Sequence, residues 1–304
     1  MTYLFLFIFG LAIGSFLNVV SLRFQPGQRL LDLRIINGRS HCPHCQKTLR
    51  WYELIPLLSF IVQFGKCRHC KKKLSLQYPL VEFLSGLIFV SVPLLLTNFQ
   101  FSPPAGGFNL SILQLIIIAV WLLIFILFLL LSVIDFRHYI IPDSINLSLA
   151  ALGIILIIFN QILDSKFQIL NSGSFLGHYA LLFDFWPLSN VSGQLSAVSG
   201  HLFAAIIAMA FFAAIIILTR GRAMGWGDFK LVGALGLIFG WPDILMIVFL
   251  SFIVGAICVT PLLIRKQKTM KDAVPFGPFL IAGSALIFFF GYNIIDGYFK
   301  LFGL

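Results

Sequence analysis

Apolar stretches of about 20 residues recur along this chain, and each is of the length a helix needs to cross the hydrocarbon core of a bilayer, roughly 30 Å thick. We read eight of them, at residues 2–20, 78–97, 111–134, 144–163, 199–219, 229–241, 243–264 and 276–299. Hydrophobic residues make up 60% of the chain and charged residues only 11%, with 34 Phe, which excludes an ordinary soluble domain. The expected fold is an all-α polytopic membrane protein of about eight transmembrane helices, with the lipid bilayer as its first partner. The short pair flanking Trp241-Pro242 fits either two spanning helices or one re-entrant hairpin. Gly233, Gly236 and Gly240 there suit close helix contact in lipid. The N-terminal segment lacks a basic flank and a small-residue cleavage site, so it reads as a retained first helix.

Orientation follows from the basic residues, which collect in cytoplasmic loops. With both termini facing outward, all of the 21 Lys and Arg except Lys166 and Lys300 fall on one side. The net charge of +10 is therefore a topological signal, and no nucleic-acid partner is expected. The same topology puts the first loop, the Asp135 loop, the Asp228 loop and the loop before Pro275 in the cytoplasm.

Between the first two apolar segments lie about fifty basic, polar, turn-rich residues unlike the rest. They contain Cys42-Pro43-His44-Cys45 and Cys67-Arg68-His69-Cys70, two C-x-x-C pairs separated by 21 residues. That spacing suits a four-thiolate zinc site, in which the metal supplies the folding energy that so small a domain lacks. A closed site of this kind is structural, with Cys42, Cys45, Cys67 and Cys70 as ligands and His41, His44 and His69 on the knuckle surface. A redox role for the C-x-x-C pairs is the sharper alternative. Cys258 stands alone in an apolar segment and reads as a small packing residue. The expected organisation is a first helix over 1–22, a cytoplasmic zinc-knuckle domain over 23–77 and a transmembrane domain over 78–304.

Only eleven residues of the 304 are acidic, so acids at the ends of apolar runs are informative. Asp135 closes one run; because a carboxylate at the bilayer centre costs about 2.5–3.5 kcal/mol, it belongs at the boundary or in a wet cavity. An interfacial acid paired with Arg137 and a catalytic acid are equally compatible with that position. Asp228 opens another run, in Gly225-Trp226-Gly227-Asp228-Phe229-Lys230. Its glycines permit close approach of another chain, and a helix start favours its ionised form. Helix capping is the alternative reading. Asp143, in Pro142-Asp143-Ser144, reads first as a cap. Asp135 and Asp228 share one membrane face in this topology, and two neighbouring carboxylates that cannot both ionise are the chemistry of aspartic proteolysis. An ion-coupled transporter using intramembrane acids and a membrane thiol oxidoreductase are the rival classes.

Taken in order, several motifs resemble those of the type IV prepilin peptidase family. They are Gly14-Ser15-Phe16-Leu17-Asn18-Val19-Val20 with Arg23, the two Cys pairs, Tyr78-Pro79-Leu80-Val81-Glu82, Asp135 through Asp143, Gly225 through Leu231, and Pro275-Phe276-Gly277-Pro278-Phe279. The resemblance implies a bacterial inner-membrane enzyme whose catalytic pair is Asp135 and Asp228, with Asp143, Gly225, Gly227 and Lys230 as accessory residues. It implies cleavage of a short basic leader after Gly at the cytoplasmic face of prepilins and pseudopilins. Methylation of the new N-terminus from S-adenosylmethionine then follows. No Gly-rich nucleotide loop marks where that cofactor would bind. Two features depart from the family pattern: Arg23 and Pro26 are spaced one residue wider than usual, and residues 164–198 form a long polar outer segment.

Overall fold

The computed structural model describes residues 1–27, 38–98, 110–164, 193–222, 224–266 and 274–301. Most of the polar 164–198 segment lies outside them. Helices form at all eight apolar stretches: α1 (Thr2–Arg23), α3 (Gln77–Asn98), α4 (Leu110–His138), α5 (Asp143–Asp164), α6 (Gly193–Leu218), α7 (Trp226–Phe239), α8 (Asp243–Ile264) and α9 (Gly277–Leu301). A short helix, α2 (Leu58–Val62), lies in the Cys-rich loop. No strand occurs among the described residues, where the loop contributes only two isolated bridges.

Among the described residues, α1, α3, α4, α6 and α8 are long and apolar enough to cross a membrane. α5 and α9 are apolar over at least Asp143–Phe159 and Gly277–Gly291. α7 has 14 residues, which at 1.5 Å per residue is about 21 Å, short of a full hydrocarbon core. Its length is set by its ends. Gly225 at the N-cap is extended, and Gly240 at the C-cap has a φ of 75°, a conformation glycine adopts without strain. α8 starts afresh at Asp243, so the 229–264 region is two helices of unequal length.

The chain divides into two compact units. The first comprises α1, the Cys-rich loop, α3 and α4 up to Ile134; the second runs from Asp135 to the C-terminus with α5 to α9. α3 thus groups with α1 and the loop. The cause is contact: Gly10 and Gly14, four residues apart on α1, lie directly against α3. A Cβ on Gly14 would sit 2.7 Å from the Glu82 Cα, and one on Gly10 2.8 Å from the Ser85 carbonyl oxygen. Small residues at this spacing let two helix backbones approach in lipid.

The second unit is built around α7, which buries Leu231, Val232, Leu235, Ile238 and Phe239 and packs against α5 and α6. Gly236 meets the Ala205 backbone of α6, and Gly153 of α5 meets Leu237 of α7. α8 and α9 form a second close pair through Gly255 against Phe279 and Gly283 against Ser251. Cys258 is exposed on α8, outside the packed core in which it was expected.

Candidate active site and metal centre

Asp135 lies in the last turn of α4 and is 3% exposed. The helix ends as the Tyr139 N–H bonds to the Asp135 carbonyl, with Tyr139 at a φ of 55°. The chain then passes through Ile141, which is buried, and re-enters helix at α5. Ile141 packs on Gly227, where an added Cβ would stand 3.1 Å from the Ile141 Cβ. The absent side chain at Gly227 therefore lets the α4–α5 turn rest on the first turn of α7, one residue from Asp228.

Asp228 is itself buried, at 9% exposure. Its Oδ2 accepts the Gly225 N–H at 3.2 Å, as a carboxylate at the third helical position does when it reaches back to the N-cap. Capping by Asp228 is thus real and coexists with its burial. Asp135 Oδ2 accepts the Gly277 N–H, also at 3.2 Å. Gly277 begins α9, and the first N–H groups of a helix have no partner inside it, so this donor is free to face a carboxylate. The Phe276 ring beside it packs on Phe252 and Phe279. Each aspartate thus holds one backbone N–H, and the two are close enough for the Asp228 charge to act on Asp135. No ion pair joins Asp135 to Arg137 among the described residues.

Asp143 occupies the first position of α5, and the Pro142 carbonyl accepts the N–H groups of Ile145 and Asn146. Its Oδ1 is held at 2.8 Å by the Lys230 Nζ, two residues beyond Asp228. Both side chains are well exposed, so this pair ties the open ends of α5 and α7 without being buried. Gly277 is the site residue whose role the sequence reading missed. The proline-flanked helix start around it was a usable signal, since it marks unpaired N–H groups.

In the first unit the two Cys pairs fold as copies of one knuckle. The Cys42 N–H bonds to the Lys47 carbonyl and Gln46 N–H to Cys42; Cys67 bonds to Lys72 and Lys71 to Cys67 in the same way. Gln46 and Lys71 share a φ of 56°. The four sulfurs lie within 4.8 Å of one another, and Cys42 Sγ is 3.9 Å from Cys70 Sγ. Zinc–sulfur bonds of about 2.3 Å in a tetrahedron require S···S edges of about 3.8 Å, so the donor set fits a metal ion. Thiols this crowded compete for protons. The Cys70 N–H foremost lowers Cys67 to about 7; at Cys70 the Lys72 N–H acts the same way, but lost hydration and the neighbouring sulfurs outweigh it and raise the thiol to about 11. His41, His44 and His69 are exposed around the cluster.

The knuckles are tied to the helices by polar anchors. Glu82 of α3, buried, accepts the Leu57 N–H at 2.8 Å. Asn18 of α1 donates to the Tyr78 carbonyl at 3.1 Å, and Arg23 to the Gly38 carbonyl at 3.1 Å.

Residues 8–96 match the bacterial peptidase A24 N-terminal domain, and residues 121–260 match the type IV leader peptidase family. The chain is 30% identical to a prepilin leader peptidase/N-methyltransferase of Xanthomonas campestris, covering 97% of this chain and 93% of that one. It is 31% identical to the protein of the same name from Bacillus subtilis, with 97% of each chain covered. The like-named protein of Legionella pneumophila is 30% identical over 97% of this chain and 94% of its own. No solved structure matches.

Proposed function

The chain belongs to the type IV leader peptidase family, and from that premise we propose that it cleaves prepilins with Asp135 and Asp228 and then methylates the new N-terminus. The observation that carries the peptidase half is the pair of buried carboxylates in one unit, within charge reach and each steadied by one backbone N–H. Two such groups cannot easily both ionise, so one holds a proton while the other accepts one from water. The attacking water adds to the scissile carbonyl, and the protonated partner gives its proton to the departing amine. Gly225 places no side chain beside Asp228, while Gly227 seats Ile141 against the first turn of α7. Lys230 and Asp143 hold the starts of α7 and α5 in register beside it.

The substrate's apolar helix lies among the spanning helices while its basic leader stays on the cytoplasmic side of the inner membrane, where the positive loops of the enzyme also lie. Cys42, Cys45, Cys67 and Cys70 hold one zinc ion. With four thiolates the ion has no open position, so it folds the knuckles and takes no part in the chemistry. S-adenosylmethionine supplies the methyl group when bound. A transporter and a thiol oxidoreductase lose their ground to the family membership.

Mass spectrometry of a co-expressed prepilin tests both halves, because leader loss and a methyl increment are separate mass changes. Asp135→Asn and Asp228→Asn proteins are expected to leave the leader attached. Full cleavage by the Asp228→Asn protein would sink the dyad.

A further inference from the structure

The loop between α1 and α3 is basic, yet it carries an apolar face on and around α2. Trp51 is 78% exposed, Ile61 66% and Phe64 88%, with Leu58 and Val62 exposed beside them. Leu58, Ile61 and Val62, three and four residues apart, fall on one side of α2, and α2 packs against the turn at Trp51–Glu53. Exposed apolar clusters on a small domain mark a surface meant to be covered. We propose that this face is sunk into the interfacial layer of the membrane and rests on anionic phospholipid, making the zinc-knuckle loop a membrane-seated element.

Its height relative to the helices supports this. Glu82, in the second turn of α3, holds the Leu57 N–H at the start of α2. α2 is therefore level with Leu80, Phe83 and Leu84, exposed side chains on the membrane-entering end of α3. A surface at that level is continuous with the lipid-facing side of a spanning helix. Charge selects the lipid. Arg50 and Arg68 lie over the Tyr52 ring next to Trp51, Lys47, Lys66 and Lys71 to Lys73 are exposed in the same loop, and the loop's acids are only Asp32 and Glu53. Glu53 is turned inward, accepting the Arg50 N–H at 2.8 Å. Apolar side chains under a basic rim are the composition of interfacial anchors, which gain from both hydrocarbon burial and anionic headgroups. The same rim repels a basic leader, which disfavours the substrate as the occupant.

The test uses the full chain, zinc-loaded, in liposomes of phosphatidylethanolamine and phosphatidylglycerol, with a photoreactive benzoylphenylalanine replacing Ile61. Irradiation is expected to give a protein carrying a phospholipid mass. The yield should fall when phosphatidylglycerol is replaced by phosphatidylcholine. A second measurement keeps Trp51 as the sole tryptophan and adds brominated lipids, which are expected to remove most of its emission while aqueous iodide removes little. Cross-links to added prepilin in place of lipid, or strong iodide quenching with no bromine effect, would overturn the proposal. Retained zinc shows in either variant that the knuckles are folded.

Discussion

Asp228 makes two uses of one position, because its Oδ2 caps the start of α7 through Gly225 while its charge acts on Asp135. Asn at either aspartate keeps the shape and loses the exchangeable proton. Prepilin cleavage in membranes is expected to fall by about 100- to 10,000-fold for each variant, the range that a positioned acid or base contributes. Lys230 is a different case. Its ion pair with Asp143 is exposed on both sides, and such pairs are worth about 0–1 kcal/mol. Lys230→Ala should hardly move the thermal unfolding midpoint in detergent; a large fall in cleavage beside an unchanged midpoint would assign the pair to the chemistry and not to the fold.

Helix contacts in both units turn on glycines that bring backbones together. A Cβ on Gly236 would lie 2.5 Å from the Ala205 Cα, whereas one on Gly200, in the same α6–α7 pair, would meet nothing within 4 Å. Gly236→Ala is therefore expected to destabilise by about 1–3 kcal/mol through overpacking. Gly200→Ala should be neutral or gain up to about 1 kcal/mol from helix propensity. Thermal unfolding of the two purified proteins side by side separates them; equal midpoints would remove α6–α7 contact as the reason for Gly236. The sequence shows Gly233 and Gly236 as suited to close contact, and it places all eight apolar helices. It does not say which helix each glycine meets, because a missing side chain leaves a gap and no partner's name. For the same reason the short length of α7 and the grouping of α3 with α1 emerge only from the packed chain.

At the scale of the whole molecule the four thiols and the two aspartates fall in different compact units. Stripping the metal with a chelator, or changing Cys42 and Cys67 to Ser, should abolish bound zinc in elemental analysis and disorder the knuckles. Because thiolates bind the metal, acidification should release it in the same way. Leader cleavage is expected to survive zinc loss and methylation to be lost; cleavage lost in parallel with zinc would make the knuckles part of the peptidase. Membrane class, the four Cys that cluster and the two aspartates that the packed chain buries were readable in the sequence. Each rests on a local signal: a run of apolar residues, a fixed Cys spacing, an acid where acid is expensive. Tertiary structure alone decided that the Gly277 N–H, 142 residues away, serves Asp135, that Lys230 reaches Asp143, and that a basic loop presents an apolar face beside α3. Those facts depend on which chain ends meet in space, and hydrophobic patterning, being satisfied by any apolar neighbour, does not choose among them.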